Sequence, residues 1–429
     1  MTAIHRPRVV ATRPPLAPRP AAEYDTSVPA LVLKLGRYPL HAGGLGVIRT
    51  LARVGIPVVA VTEDRFTPLA VSRCLERRVI WPTTGTEDDD ELLAGLEVIG
   101  RSFARRPVLV ATDDEAAVLV ARHAELLGRH FALPPVEPQL PGILADKGRL
   151  HELCCAVDVS SPASTVLRSR AEVDELARSW TFPLVLKNAA PFTRLRAPAV
   201  GCSTVVTTRD ELLRRADAWP EDPGLLVQEY LPEEQCDDWI FHGYFGRDGD
   251  LLVGFTGRKF RSWPPGSGVT TFAEVVRNDD LLELSEYLGQ RVGYRGVADL
   301  DWRYDGRDGH YKLLDFNPRV GAQFRLFEDD AGIDVVRALH LDLTGRRVPA
   351  GAPVEGRRFV LEHLDACARL VARPPWRPPE RGRRTEGPLE LGFFSLRDPL
   401  PFAAMAGRFG VLGARRLANC AFSRWKRDD

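Results

Sequence analysis

Gly296-Val-Ala-Asp-Leu-Asp-Trp-Arg-Tyr304, Asp305-Gly-Arg-Asp-Gly309 and His310-Tyr-Lys-Leu-Leu-Asp-Phe-Asn-Pro-Arg319 follow one another without a break. Two apolar runs flank a turn made of Asp and Gly, the composition of a tight hairpin connection. In the second run Asp315 and Asn317 are two apart, so on a strand both project from one face while Leu314 and Phe316 turn to the other. Closing the hairpin sets Asp301 roughly opposite Asp315, with Asp299 on the same face. Two acids and an amide brought together repel unless a cation joins them. Magnesium wants such hard oxygen ligands and bridges a carboxylate or two to phosphate oxygens. Asp301, Asp315 and Asn317 are therefore candidate metal ligands, with a solvated hairpin face as the alternative.

Upstream, Arg247-Asp-Gly-Asp250 marks a second hairpin between strands at 239–246 and 251–258. Phe182–Lys187 is an apolar strand ending in a lysine, an unusual end for a buried run because the charge needs a partner. A polar loop over 188–201 leads to strands at Ser203–Thr207 and Leu225–Glu229, around a helix at Arg209–Ala218. Asp146 can cap a helix reaching Ala156 with Lys147 in its first turn, and a helix is expected over 171–179. Neighbouring strands with few helices between them predict an α+β domain over 145–345.

Residues 29–144 have another rhythm. A strand at Ala30–Leu35, a glycine turn at His41-Ala-Gly-Gly-Leu-Gly46 and a helix at Val47–Val54 precede strands at Pro57–Val61 and Pro107–Ala111 and a helix at Glu115–Leu127. Such alternation implies a parallel, Rossmann-like α/β sheet. The glycines fall short of a dinucleotide fingerprint, because Arg49 stands where the third glycine belongs. Glu63 and Asp64, at the end of the second strand, sit where a ribose-binding acid would, but a solvated strand end is the simpler reading. Residues 1–28, with Pro14, Pro15, Pro18 and Pro20 among Arg and Ala, read as a disordered leader. Residues 346–429 read as a Pro/Arg-rich linker (372–388) and a helical C-terminal extension opened by Asp398-Pro399 in the order of cap and N1 proline. Its Phe393, Phe394, Phe402, Phe409 and Leu412, with Arg408, Arg415 and Arg416, could touch a membrane surface. Packing onto the body is the simpler expectation.

Lys and Arg total 58, equal to Asp and Glu, so no strong basic field is available and nucleic acid is not an expected partner. Seven scattered cysteines, with no CxxC pair, fit a reducing cytoplasm rather than a disulfide framework or zinc site. No apolar run approaches the roughly 18 residues of a transmembrane helix.

Six segments in order carry a family likeness: Ala145-Asp-Lys147, Phe182-Pro-Leu-Val-Leu-Lys187, Val227-Gln-Glu-Tyr-Leu-Pro232, Gly254-Phe-Thr-Gly-Arg-Lys-Phe260, Tyr294-Arg-Gly-Val-Ala-Asp-Leu-Asp301 and Lys312-Leu-Leu-Asp-Phe-Asn-Pro-Arg319. Together they resemble the ATP-grasp superfamily, in particular its carboxylate–amine ligase-like branch. With the first domain, then a Rossmann-like pre-ATP-grasp domain, the likeness covers roughly 30–345. It implies that Gln228, Glu229, Tyr230 and Leu231 form the hinge strand beside adenine, with Glu233 or Glu234 at the ribose. Lys147 and Lys187 would reach the α- and β-phosphates, and the 188–204 loop would be a flap over them, although it has few glycines. Arg319 would stabilise charge developing at the γ-phosphoryl group, Lys259 would meet the γ-phosphate and Arg258 the substrate carboxylate. The 261–270 loop could line the acceptor pocket. The family more often has Glu at both metal carboxylates; Asp301 and Asp315 are each a methylene shorter.

The implied activity is ATP- and magnesium-dependent joining of a small carboxylate to an amine through an acyl phosphate, with manganese as a substitute ion and a homodimer as one assembly. An ATP-grasp kinase or carboxylase, or a catalytically drifted nucleotide-binding protein, are the alternatives. A carboxylase carrying its own biotin is excluded, since Met1 and Met405 are the only methionines and no Met-flanked lysine exists.

Overall fold

The structure, a computed structural model, describes residues 22–190, 198–200, 203–266, 268–371 and 387–425, with 413–425 as helix backbone only. The first unit contains β1 (Ala30–Leu33), α1 (Ala42–Ala52), β2 (Val58–Thr62), β3 (Arg77–Ile80), α2 (Asp89–Arg101), β4 (Val108–Ala111), α3 (Asp114–Arg122) and α4 (Ala124–Leu127). Its strands lie in the order β3-β2-β1-β4 and all pair in parallel, as β–α alternation requires. β1 and β2 are buried along their whole length, which suits a sheet covered on both faces.

Two short helices, α5 (Leu140–Ala145) and α6 (Lys147–Ala156), lead into a small antiparallel sheet. It holds β5 (Ser164–Leu167), α7 (Arg170–Ser179), β6 (Leu184–Asn188), β7 (Thr204–Val206), α8 (Arg209–Ala216) and β8 (Leu225–Glu229), with strand order β5-β8-β6-β7. The large sheet follows: β9 (Cys236–Phe245), β10 (Leu251–Trp263), β11 (Val269–Val275), α9 (Asp279–Arg291), β12 (Gly296–Asp305) and β13 (His310–Asn317). After α10 (Val335–Leu343) come β14 (Arg358–Val360), α11 (Glu362–Val371), β15 (Leu389–Leu391) and α12 (Leu400–Trp425).

The hairpin read from the sequence forms with the expected register, Asp301 opposite Asp315 and Asp299 opposite Asn317. Asp146 caps α6 as expected, its carboxylate accepting from Gly148 and Arg149 N–H at 3.0 Å each. Other expectations need correction. The glycines of 41–46 are not a turn: α1 begins at Ala42, capped by His41 Nδ1, which accepts from Gly44 N–H at 2.9 Å. They allow close packing instead, since a Cβ on Gly46 would lie 2.7 Å from Phe324 and 2.8 Å from Arg325. The helix expected over 115–127 breaks at His123 into α3 and α4. Glu63 is not a solvated strand end but meets the buried Lys34 ammonium at 2.5 Å.

Nor are the described residues of 346–412 an appendage. The large sheet runs β13-β12-β9-β10-β11-β14-β15, so the C-terminal strands complete it. Phe359, Phe393 and Met405 enter one continuous core with Leu45, Ile48 and Val110 of the first unit and Tyr244, Phe255 and Phe327 of the large sheet. Phe402 and Phe409 pack against that core, as the packing expectation had it, while Phe394 is 39% exposed. Asp398 does not cap the last helix; its buried carboxylate accepts from Arg49 Nε (3.0 Å), Ser72 Oγ (2.8 Å) and Arg73 N–H (3.0 Å) of the first unit. At the N-terminus Tyr24 and Val28 pack on the same core, so order starts before residue 29. The rest of the expected leader (1–21), most of the linker (372–386) and the centre of the flap (191–197, 201–202) lie outside the described residues.

Candidate active site

The small sheet faces the large one across a cleft. A slot of about 150 Å³ has Val185, Lys187, Gln228, Glu229, Tyr230, Leu231 and Glu233 on one side, and Lys259, Asp301, Arg303, Leu314 and Asp315 on the other. A wider cleft of about 490 Å³ shares Lys187, Lys259, Asp301 and Asp315 and adds Lys147, Asn317, Arg319, Gln323 and Asp114. Residues from seven separated segments thus converge.

Local folding explains the lysines. Capping by Asp146 starts α6 at Lys147, and the Lys147 N–H donates to the Ala189 carbonyl at 3.1 Å, just beyond β6. That bond ties the two lysine-bearing segments together. Lys147 Nζ pairs with the Asp315 carboxylate. Burial pushes the Lys187 ammonium down to about 8, with Asp315 offsetting part of the effect. Burial likewise opposes charge on Asp315, yet Lys147 and Lys187 outweigh it and hold its pKa below the usual range.

Asp301 behaves differently. Its Oδ1 is buried without a hydrogen-bond partner and lies 3.7 Å from Lys259 Nζ. Burial pushes its pKa up, and Asp299 and Asp315 add to the rise against the opposing Lys259 charge. A buried carboxylate oxygen lacking a donor, beside a second carboxylate, is chemically suited to a divalent cation. Asn317 donates its Nδ2 to the Asp299 carbonyl at 3.1 Å, leaving its amide oxygen as the remaining acceptor. No group of three or more His, Cys, Asp or Glu suited to a metal occurs among the described residues. Two carboxylates and an amide suit an ion that takes its other ligands from phosphate or water.

At the far end of the slot the Glu229 side chain is already engaged, accepting from Lys312 Nζ (3.1 Å), Arg307 Nη2 (3.3 Å) and Ala163 N–H (3.1 Å). Those bonds tie the end of β8 to the β12–β13 hairpin and to the segment before β5. Gln228 donates to Ser164 Oγ at 3.0 Å. Arg303, unnoticed in the sequence, grips Asp238 through two bonds of 2.6 and 2.9 Å and donates to the Leu231 carbonyl at 3.2 Å. Its place on the Asp299–Asp301 face of β12, two residues on, was the available signal. Glu233 lines the slot opposite Gly266, where a Cβ would lie 2.1 Å from its Oε1, whereas Glu234 lies outside the cleft lining. Arg258 also departs from expectation: it pairs with Asp237 in a neighbouring groove and is absent from the wide cleft, although Lys259 beside it lines both.

Arg319 reaches into the cleft from the end of β13. Its Nη1 donates to Asp299 Oδ2 at 2.6 Å, and its Nε lies 3.2 Å from Asp114 Oδ1 at the start of α3. Behind Asp299 stands the fully buried His242, Nε2 to Oδ1 2.8 Å. Burial would raise the Asp299 pKa, but His242 and Arg319 hold it down at about 2. Neither Asp114 nor His242 was singled out in the sequence, and no local pattern marks them.

No family model matches the chain. Solved structures share its architecture. L-amino acid ligase from Bacillus licheniformis superposes with a TM-score of 0.55 at 16% identity, over 77% of this chain and 76% of that one. The biotin carboxylase domain of Hydrogenobacter thermophilus 2-oxoglutarate carboxylase, solved with MgADP, ADP and bicarbonate, gives 0.53 at 14% identity, over 75% and 71%. This is the ATP-grasp fold. A D-aspartate ligase of Enterococcus faecium is 23% identical over 276 residues, 61% of this chain and 65% of the relative. The matched part of the chain thus spans 65% of the length of that curated relative. Among the described residues, no helix is long and apolar enough to cross a membrane.

Proposed function

We propose that this chain is an ATP-dependent carboxylate–amine ligase that activates a small carboxylate as an acyl phosphate. The convergence of Lys147, Lys187, Lys259, Asp301, Asp315, Asn317 and Arg319 on one cleft carries the reading. Adenine would enter the slot between Val185 and Leu314 and be read by the backbone of Glu229–Leu231, beside Gln228 and Tyr230, with Glu233 near the ribose. Lys147 and Lys187 would hold the α- and β-phosphates as point charges. Asp301, Asp315 and Asn317 would hold magnesium, which when bound neutralises phosphate charge. Manganese, also an oxygen-seeking divalent ion, would substitute.

In the first step a substrate carboxylate oxygen attacks the γ-phosphorus in line and ADP leaves. Lys259 and Arg319 supply fixed positive charge where the transferred group becomes most negative. The amine nitrogen then attacks the acyl carbon, the amide bond forms and phosphate leaves. Catalysis here is position and electrostatics, so no nucleophilic triad is needed. Arg258 and Glu234 have no part in this scheme. The Enterococcus relative and the Bacillus neighbour are both ligases named for amino acids, which supports an amino-acid carboxylate as the acid. A cytoplasmic setting is proposed from the free cysteines Cys74, Cys154, Cys155, Cys236 and Cys367, and a homodimer would be seen by light scattering.

The test is incubation with ATP, magnesium, hydroxylamine and a panel of D- and L-amino acids with D-aspartate included. Hydroxamate and ADP in equal amounts are expected. ADP formed only with an alcohol acceptor would replace the reading with a kinase, and nucleotide binding without turnover for any acid would replace it with a sensor.

A further inference from the structure

Asp299 is 3% exposed and His242 wholly buried, yet neither is needed to grip a nucleotide or a metal in the scheme above. They are paired residues on adjacent strands β12 and β9, so the sheet itself fixes their separation. The Asp299 carboxylate stands between the imidazole and the arginine. Oδ1 lies 2.8 Å from His242 Nε2 and accepts from Gln323 Nε2 at 3.4 Å, while Oδ2 accepts from Arg319 Nη1 at 2.6 Å. The backbone carbonyl of the same residue accepts from the Asn317 amide at 3.1 Å. Gly321 leaves the space this requires: a Cβ there would sit 2.3 Å from Asp299 Oδ2 and 2.6 Å from His242 Cε1. Phe327 packs on the imidazole, ring centroids 5.0 Å apart.

We infer that Asp299 and His242 form a buried positioning pair that aims the Arg319 guanidinium into the cleft. An arginine side chain has many rotamers, and a charge-assisted bond to a fixed carboxylate selects one of them. The carboxylate is held because the imidazole Nε2 lies 2.8 Å from it on the paired strand, whose register fixes their separation. The pair touches no reacting atom; it acts through Arg319. Asn317 shares the same anchor, so the amide of the metal set and the arginine are held in register by one residue. This rests on the ligase reading only for its kinetic consequence, because the placement of Arg319 can be measured without turnover.

The experiment compares wild type with Asp299→Asn, His242→Gln and His242→Phe. The first readout is the rate at which phenylglyoxal modifies Arg319, followed by peptide mapping; the second is kcat and the KM for ATP. In Asp299→Asn, Arg319 is expected to be modified several-fold faster, and kcat to fall by about 100-fold, the scale of a misplaced group, with the KM for ATP within about twofold. His242→Gln, which keeps a donor, should stay close to wild type on both readouts, and His242→Phe should follow Asp299→Asn. Arg319 modified at the wild-type rate in both Asp299→Asn and His242→Phe would overturn the inference. So would equal behaviour of His242→Gln and His242→Phe, since burial alone would then explain the imidazole. A wild type without turnover, but with the expected order of modification rates, would remove the ligase reading and leave the positioning pair standing.

Discussion

Lys187 ends an apolar strand, and its ammonium has an ordinary value of 10.5 that burial brings to about 8. The charged form is the one disfavoured by the fold, so it weakens the folded state below pH 8, and that penalty fades as pH rises from 8 towards 10.5. The same form is the one that attracts phosphate. ATP affinity should therefore fall as pH climbs through about 8, and Lys187→Arg, charged throughout, should flatten the profile. A fluorescence titration with nucleotide between about pH 6.5 and 9.5 checks this; an unchanged decline in the arginine variant would contradict it. Asp315 meets Lys147 and faces Asp301 across the hairpin. Asp315→Ala should abolish turnover while circular dichroism and cooperative unfolding stay near wild type, and retained activity would contradict the metal assignment. Lys187, Asp301 and Asp315 were legible in the sequence, because a charge that interrupts an apolar run stands out, whereas Lys147 and Lys259 stood out only through the family likeness. His242 and Asp114 were not legible. Each gains its role from residues at least 50 positions away in sequence, and no local pattern encodes such a meeting.

The element that carries Lys147 into the cleft is α6, whose first turn depends on Asp146 accepting from two backbone N–H groups. Asp146→Ala should cost about 1 kcal/mol of stability, with a range of about 0.5–2, and should raise the KM for ATP as Lys147 loses its fixed start. Asp146→Asn, also a good cap, should restore both. Thermal denaturation and steady-state kinetics test this together; a KM change without a stability change would break the link between cap and site. The long hairpins and this capped helix were readable because turn composition and period-two alternation act locally. Other elements were missed for physical reasons. β3 is an edge strand of Arg77-Arg-Val-Ile80, mostly exposed, with no apolar alternation to report it. The glycines before Val47 suggested a turn, but they serve close packing of α1 on the 321–325 segment. Helix propensity counts against those glycines, and tertiary packing overrides it.

For the whole molecule, the consequence of the shared core is that the first unit, the large sheet and the C-terminal segment stand or fall together. Arg49 and Asp398 are 5% and 1% exposed and join α1 to the approach to α12. Arg49→Met leaves a buried carboxylate without its cation and should destabilise the protein by about 3–5 kcal/mol, read as a lowered urea midpoint in a single transition. Two separated transitions in wild type would contradict a common core. Composition showed where the segments change character, but not that β14 and β15 complete the large sheet, because three-residue strands carry too little pattern to be seen. The proposed ligase activity requires one cleft in which lysines and a cation would hold the same nucleotide. Isothermal titration of ATP with and without magnesium, in wild type and in Asp301→Ala and Asp315→Ala, examines that directly. Magnesium should tighten binding to wild type by at least about tenfold and have little effect in either variant. An undiminished magnesium effect in both variants, or no ATP binding by wild type, would contradict it.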